Sequence, residues 1–258
     1  MKKNSARKTD KQRAEVKYYG FHACVKLWQS RPADIIRVYV DESRAKEVGT
    51  LLKWCASQKK AYHIISTQEI AAVSQSVHHE GLCLLAYELP LNDPLTMVAT
   101  FQNTKTPACL LYLDGVQNPH NIGSIIRVCA HFGINYILGE KTKLTKISPS
   151  AYRIAQGGAE VVKLIPLEHP QKTLTKLIQA GFYPTASSSH GGTSLYKHKF
   201  APRTLLIMGA ESEGISKPIQ ELAKSTLLIP GTELVESLNV SVATGLFLGE
   251  YWRQLHAQ

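Results

Sequence analysis

Ala108-Cys109-Leu110-Leu111-Tyr112-Leu113-Asp114-Gly115-Val116-Gln117-Asn118-Pro119-His120-Asn121-Ile122-Gly123-Ser124-Ile125-Ile126-Arg127 runs from an apolar stretch, through a loop punctuated by Gly and Pro, into apolar residues at helical spacing. A near-continuous apolar run is the pattern of a strand buried on both faces. Ile122, Ile125, Ile126 and Cys129 then fall on one side of a helix. Read outward, the alternation continues. Strands are predicted at Ala108–Leu113, Tyr136–Leu138, Val161–Ile165, Phe182–Ala186, Thr204–Met208 and Leu227–Ile229, with helices at Ile122–Phe132, Ser148–Gln156, Gln171–Ala180, Ile219–Lys224 and Val240–Leu255. Short apolar strands alternating with helices predict an α/β fold: a mostly parallel sheet with helices on both faces. Ligands of such sheets gather at the carboxyl ends of the strands, so the strand-to-helix loops are where chemistry is expected.

Upstream the pattern is shorter and simpler. Phe21–Gln29 reads as a helix, Ile35–Val40 as a strand, Ala45–Ser57 as a helix and Ala61–Ile65 as a strand; Thr67 reads as the cap of a third helix, and Gly81–Tyr87 as a last apolar strand. These form a small α/β domain over residues 16–90. Pro90, Asn92-Asp93-Pro94, Asn103 and Pro107 interrupt all periodicity, which marks 91–107 as a linker before a domain spanning 108–258.

The chain has 258 residues, 30 Lys+Arg against 20 Asp+Glu, and a net charge of +10. Such a balance points to an acidic partner, nucleic acid first. The excess is uneven. Residues 1–13 hold six basic side chains and one Asp, residues 14–107 ten basic and nine acidic, and residues 108–258 fourteen and ten. The basic tail over 1–15 is either a disordered solubilising extension or an arm that grips phosphates without regard to sequence. No run approaches the ~18 apolar residues of a membrane span, and no apolar core of a secretory signal follows the tail. The five cysteines (24, 55, 83, 109 and 129) are odd in number and far apart, as in a chain kept in a reducing cytoplasm. They form no C-x-x-C and the histidines no H-x-x-x-H, so no metal is expected.

Three loops carry the polar chemistry. In the first, Asn121 is placed to cap the following helix and Arg127 lies within two turns of it. Arg127 either pairs with an acid on the sheet surface or holds a phosphate or hydroxyl at the loop's mouth. The second, Gly209-Ala210-Glu211-Ser212-Glu213-Gly214, flanks a strand-ending acid with Gly. It is either a tight turn or a site of close ligand approach. It lacks the spacing of a dinucleotide fingerprint and the Lys-Ser/Thr of a P-loop. The third, Ile229-Pro230 through Ser237-Leu238-Asn239-Val240-Ser241, offers Ser237 or Asn239 as a cap for the terminal helix.

Taken in order, Asn121-x-Gly123-x-x-x-Arg127, Gly209-x-Glu211-x-x-Gly214 and Ile229-Pro230 with Ser237-Leu238-Asn239-Val240-Ser241 resemble the three motifs of the SpoU/TrmH family, RNA ribose 2′-O-methyltransferases of the SPOUT superfamily. Residues 18–87 also resemble the small RNA-binding domain that precedes the catalytic domain in many members. The resemblance implies a trefoil knot in the C-terminal domain, a homodimer, an rRNA or tRNA substrate, and S-adenosylmethionine held by backbone groups. By position it places cofactor contacts at Gly209, Ile229 and Leu238, and catalytic positions at Arg127, Asn121, Glu211, Ser237 and Asn239. The Arg matching Arg127 is often given the role of base, yet a guanidinium stays protonated, so either an adjacent phosphate takes its proton or another group accepts that of the ribose. Ala210 stands where many members have Asn, and Gly231 and Glu233 where Met and Gly are common. The alternative reading is a non-catalytic RNA-binding protein that retained the SPOUT fold.

Overall fold

The computed structural model of the chain describes residues 13–90, 92–144, 147–232 and 234–256. The chain divides after Pro90 into two compact units.

The first unit contains β1 (Glu15–Tyr19), α1 (Phe21–Ser30), β2 (Ile35–Asp41), α2 (Gly49–Ser57), β3 (Ala61–Ile65), α3 (Thr67–Ser74) and β4 (Leu82–Tyr87). Its sheet has the order β1-β4-β2-β3, antiparallel except for the β2–β3 pair. Successive side chains alternate between the faces of the sheet. Tyr18, Val38, Val40, Leu82 and Leu84 are fully buried on one side; on the other, Tyr19 and Cys83 pack with Ile70 of α3. Three features differ from expectation. β1 was not anticipated, because EVKYY is too short to show its period; it pairs with β4 from Glu15↔Tyr87 to Tyr19↔Cys83. The cap of α3 is Ser66, not Thr67: Ser66 accepts from the Glu69 amide while Glu69 accepts from the Ser66 amide, a reciprocal pair. Arg13, counted with the tail, instead clasps the sheet. Its guanidinium forks onto Asp34 at 2.7 and 2.8 Å and donates to the Glu88 carbonyl, which with Arg31 holds the Asp34 carboxyl below its ordinary range. The rest of the expected tail, residues 1–12, lies outside the described residues.

The second unit begins with α4 (Pro94–Gln102) and continues through β5 (Ala108–Asp114), α5 (Pro119–His131), β6 (Tyr136–Glu140), α6 (Pro149–Ala155), β7 (Lys163–Leu167), α7 (Pro170–Gln179), β8 (Tyr183–Ser188), β9 (Thr193–Ser194), β10 (Arg203–Gly209), α8 (Lys217–Gln220), β11 (Ser225–Leu228) and α9 (Val240–His256). Its seven strands are all parallel, in the order β7-β6-β5-β10-β8-β11-β9.

Helix α4 occupies the stretch expected to be a linker. The residues read as breakers are a start signal: Asp93 accepts from the amides of Leu95 and Thr96, and Pro94 takes the first turn, where its missing N–H costs nothing. Met97, Val98 and Phe101 then bury themselves among Leu110, Leu174, Phe182 and Leu205. Buried Arg203 fastens the same corner, donating to the carbonyls of Phe101, Thr104 and Ala180 and lying over the Phe182 ring at 4.4 Å. Across the sheet from this layer, α5 packs against α6 and α9.

From β5 the chain steps outward to β6 and β7, then crosses back to lay β8, β10 and β11 on the other side, with β10 filling the place beside β5. The reversal at β5 and β10 leaves a crevice at their carboxyl ends, the usual ligand position in open parallel sheets.

Candidate active site

At the end of β5, Asp114 is buried and tied in three ways. Its carbonyl accepts from the Ala210 amide at 2.9 Å, its Oδ2 accepts from the Ser216 amide at 2.7 Å, and the Tyr112 hydroxyl donates to its Oδ1 at 3.4 Å. Burial, and then the neighbouring Asp114 and Glu140 carboxylates, push the Tyr112 phenol up, so it stays a donor. The residue attached in this way is the start of the β10 loop. Gly209 ends β10, and Gly214 donates back to the Ala210 carbonyl at 2.9 Å. A Cβ on Gly209 would stand 2.3 Å from the Gly214 carbonyl carbon, so only glycine fits. The loop is thereby turned to present Glu211 outward.

Glu211 is where the three loops meet. Its Oε1 accepts from Asn239 Nδ2 at 2.7 Å, from Asn121 Nδ2 at 3.2 Å and from the Val240 amide at 3.1 Å. Asn239 Nδ2 also donates to Asn121 Oδ1 at 2.9 Å. The carboxylate therefore sits at the amino end of α9, where the helix dipole favours negative charge. Asn121, from the first motif, lies inside α5 and does not cap it. That role belongs to Asn118, whose side chain accepts from the His120 amide at 2.9 Å, with Pro119 in the first turn. Of the two candidates for capping α9, Asn239 is used: its Oδ1 accepts from the Ser241 amide at 2.9 Å.

Arg127 is not part of this cluster. Its neighbours Ile125, Ile126 and Cys129 are buried while Arg127 is exposed, with no hydrogen bond or ion pair among the described residues. Ser237 is likewise exposed and unbonded among the described residues. Gly209 and Ile229 are half-buried, whereas Leu238 is exposed. Glu233 lies outside the described residues. The peptide groups of Pro230–Thr232 and Leu234–Leu238 make no hydrogen bond to the rest of the chain among the described residues. Asp114 escaped the sequence reading, although an acid closing a strand of otherwise apolar residues was the available signal. The ring of contacts is all oxygen and amide: among the described residues no group of three His, Cys, Asp or Glu could hold a metal.

Residues 108–249 match the SpoU rRNA Methylase family, and residues 18–90 match the family described as RNA 2'-O ribose methyltransferase substrate binding. A relative from Escherichia coli O157:H7, named uncharacterized tRNA/rRNA methyltransferase YfiF, is 36% identical over 245 residues, spanning 95% of this chain and 70% of that protein. A 23S rRNA (guanosine-2'-O-)-methyltransferase RlmB from Pseudomonas putida is 30% identical over 92% of this chain and 96% of its own length. The SpoU methyltransferase AviRb from Streptomyces viridochromogenes, solved in complex with the cofactor AdoMet, superposes with a TM-score of 0.77 at 20% identity, over 95% of this chain and 92% of that one; it establishes the fold. The chain belongs to the SpoU rRNA methylase family of RNA methyltransferases, the family its three loops resemble.

Proposed function

We propose that the chain methylates the 2′-hydroxyl of a ribose in rRNA or tRNA, with Asn121, Arg127, Glu211, Ser237 and Asn239 around the reacting ribose. The observation that carries this reading is the convergence of Asn121, Glu211 and Asn239, drawn from three separate strand ends, on one carboxylate oxygen.

The residues present fit S-adenosylmethionine. The free peptide groups around Leu238, together with the backbone of Gly209 at the end of β10 and of Ile229 just after β11, supply the backbone donors and acceptors that a cofactor carrying both amino and carboxylate groups requires. Bound there, the cofactor supplies an electrophilic methyl group. The chain's own residues then have two tasks. The first is to hold the ribose in line, since positioning contributes much of the rate in a displacement. Asn121 and Asn239, locked to each other and to Glu211, form the fixed wall for this. The second is to manage the hydroxyl proton. Arg127, exposed and unpaired, binds the phosphate beside the ribose as a permanent cation. Glu211 Oε2, which has no partner among the described residues, is the acceptor of the cluster.

The same reading covers the assembly and the path of the chain. Val242, Leu246 and Trp252 on α9, with Leu234, Val235 and Leu238 before it, leave an apolar surface exposed, and this supports a homodimer through that face. The insertion of β10 between β5 and β8 supports a trefoil knot. We assign RNA recognition to residues 16–90 and methyl transfer to 108–258. All five cysteines are free and buried, and no described helix is long and apolar enough to cross a membrane, which supports a cytoplasmic protein. The test is nucleoside mass spectrometry of rRNA and tRNA from cells with and without the gene. One 2′-O-methylated nucleoside should disappear, and 23S rRNA guanosines are the first positions to inspect, given the relative from P. putida. An unchanged profile overturns the reading.

A further inference from the structure

The first unit has a sheet face that α3 covers only in part. Near α3 this face carries Tyr19, Cys83, Tyr39 and Ile65, which pack with Ile70 and Val73. One step further from α3, the register sets four residues side by side across the strands: Lys17 opposite Leu85, Leu85 opposite Arg37, and Arg37 opposite Ala61. Arg37 and Ala61 are exposed, and Lys17 and Leu85 are half-buried. His63, the neighbour of Tyr39 on the edge strand β3, is exposed as well. Its ring stacks on that of Tyr39 with centroids 5.4 Å apart and planes 18° from parallel, and Arg37 Nη1 donates to the Tyr39 hydroxyl at 3.3 Å. Glu15 lies at the rim of the face next to Lys17 and Arg37, and Asp41, two residues beyond Tyr39 on the same strand, is buried against Ser43 and Thr67.

Each feature has a physical consequence. Tyr39 is fixed by the core under α3, so the ring stacked on it is held without a large further loss of freedom. His63 therefore offers an ordered aromatic surface to solvent. Arg37, on the strand next to His63, borders that surface with positive charge, and Lys17 continues the charge two strand spacings of about 4.8 Å each further across the face. Aromatic faces bordered by cations are what single-stranded nucleic acid uses, because every base has a face to stack and every nucleotide a phosphate. A duplex cannot use them, since its bases are already stacked.

We propose that this open half-face is a subsite for an unpaired segment of the RNA substrate, with one base stacked on His63 and the phosphates of the strand that runs on across the face held by Arg37 and then Lys17. The proposal rests on the reading of the chain as an enzyme acting on RNA. It gives the first unit a preference for unpaired over duplex RNA, apart from any contribution of residues 1–12.

The test uses the full chain and fluorescence anisotropy with labelled oligouridylate of about 12 nucleotides, a length within the range of single-strand sites, beside a duplex of equal length. His63→Ala should weaken oligouridylate binding about tenfold and leave duplex binding unchanged. His63→Phe, which keeps the stacking surface, should restore affinity to within about twofold, and Lys17→Gln and Arg37→Gln should each lower the salt slope by about one. Thermal melting separates a purely structural role for the ring pair, in which His63→Ala shifts the melt and leaves RNA affinity alone. Unchanged oligouridylate affinity in His63→Ala, or an equal loss for duplex, overturns the proposal. Methyl transfer to rRNA, measured on the parent and on His63→Ala beside these affinities, keeps the two readings apart. If the protein methylates no RNA yet loses single-strand binding with His63→Ala, the enzymatic reading falls and the subsite stands. If it methylates RNA and His63 is irrelevant to binding, the subsite alone falls.

Discussion

The loops after β10 and β11 leave the same sheet in the same direction, and they are built in opposite ways. The β10 loop is tied at three points: Ala210 to Asp114, Gly214 to Ala210, Ser216 to the Asp114 carboxylate. The β11 loop, over Pro230–Thr232 and Leu234–Leu238, makes no backbone hydrogen bond to the rest of the chain among the described residues. A loop tied in this way holds a side chain in one place, here Glu211. An untied loop keeps its peptide groups for a ligand. In the proposed reading the two loops divide the work of the site, one aiming a carboxylate and the other lending backbone.

The sharpest way to break this comparison is a pair of glycine replacements. Gly209→Ala places a methyl 2.3 Å from the Gly214 backbone, whereas Gly231 has nothing within 4 Å of the position its Cβ would take. Gly209→Ala should abolish methyl transfer and destabilise the fold by about 1–3 kcal/mol, as overpacking does. Gly231→Ala should melt like the parent, which differential scanning calorimetry of the two variants will decide. Next in size is a pair of carboxylates. Glu211→Gln keeps the shape but weakens the contacts from Asn121, Asn239 and the Val240 amide, and should slow turnover about 10²-fold in single-turnover assays. Glu236→Gln, in the untied loop and with an exposed His190 at 3.7 Å as its ion-pair partner among the described residues, should stay within twofold.

A smaller effect is expected where the loops meet α9. Asn239→Ala removes the cap and the strongest of the Glu211 contacts, and should cost about 1 kcal/mol of stability in urea unfolding. The smallest lies at the far end of that helix. Hydrogen bonds from Arg253, and then from Gln254, hold the Glu250 carboxyl at about 2 against an ordinary 4.5. A depressed carboxyl adds stability that is present above pH 4.5 and lost as pH falls through about 2. Arg253→Ala should therefore melt lower than the parent at neutral pH, with the gap closing in acid. A gap that persists at pH 2 would show that Arg253 acts through packing.

Much of this was readable from residue order, and the failures are instructive. Alternating apolar strands and helices in residues 108–258 specify a buried parallel sheet, because each strand must be covered twice. Asn121, Glu211 and Asn239 each stood out in a motif, though nothing in residue order showed that they form one hydrogen-bonded cluster, since their meeting depends on how three strand ends are ordered. The error at 91–107 came from treating Asn92-Asp93-Pro94 as breakers when the same residues open α4. The capping roles went wrong by one and three residues, Ser66 for Thr67 and Asn118 for Asn121, because several hydroxyls and amides stood near each helix start. The surface around His63 was invisible for another reason. Lys17, Arg37, Tyr39 and His63 come from three strands and share a face only through register.

The central claim is that the three loops together form a site that methylates ribose. Purified protein, S-adenosylmethionine carrying a labelled methyl group, and rRNA from cells lacking the gene test it most directly, with nucleosides read by mass spectrometry. The label should appear on a 2′-oxygen, and Arg127→Ala should slow its appearance by about 10²-fold or more while S-adenosylmethionine affinity stays within twofold. Label on a base, or an Arg127→Ala rate near that of the parent, would contradict it.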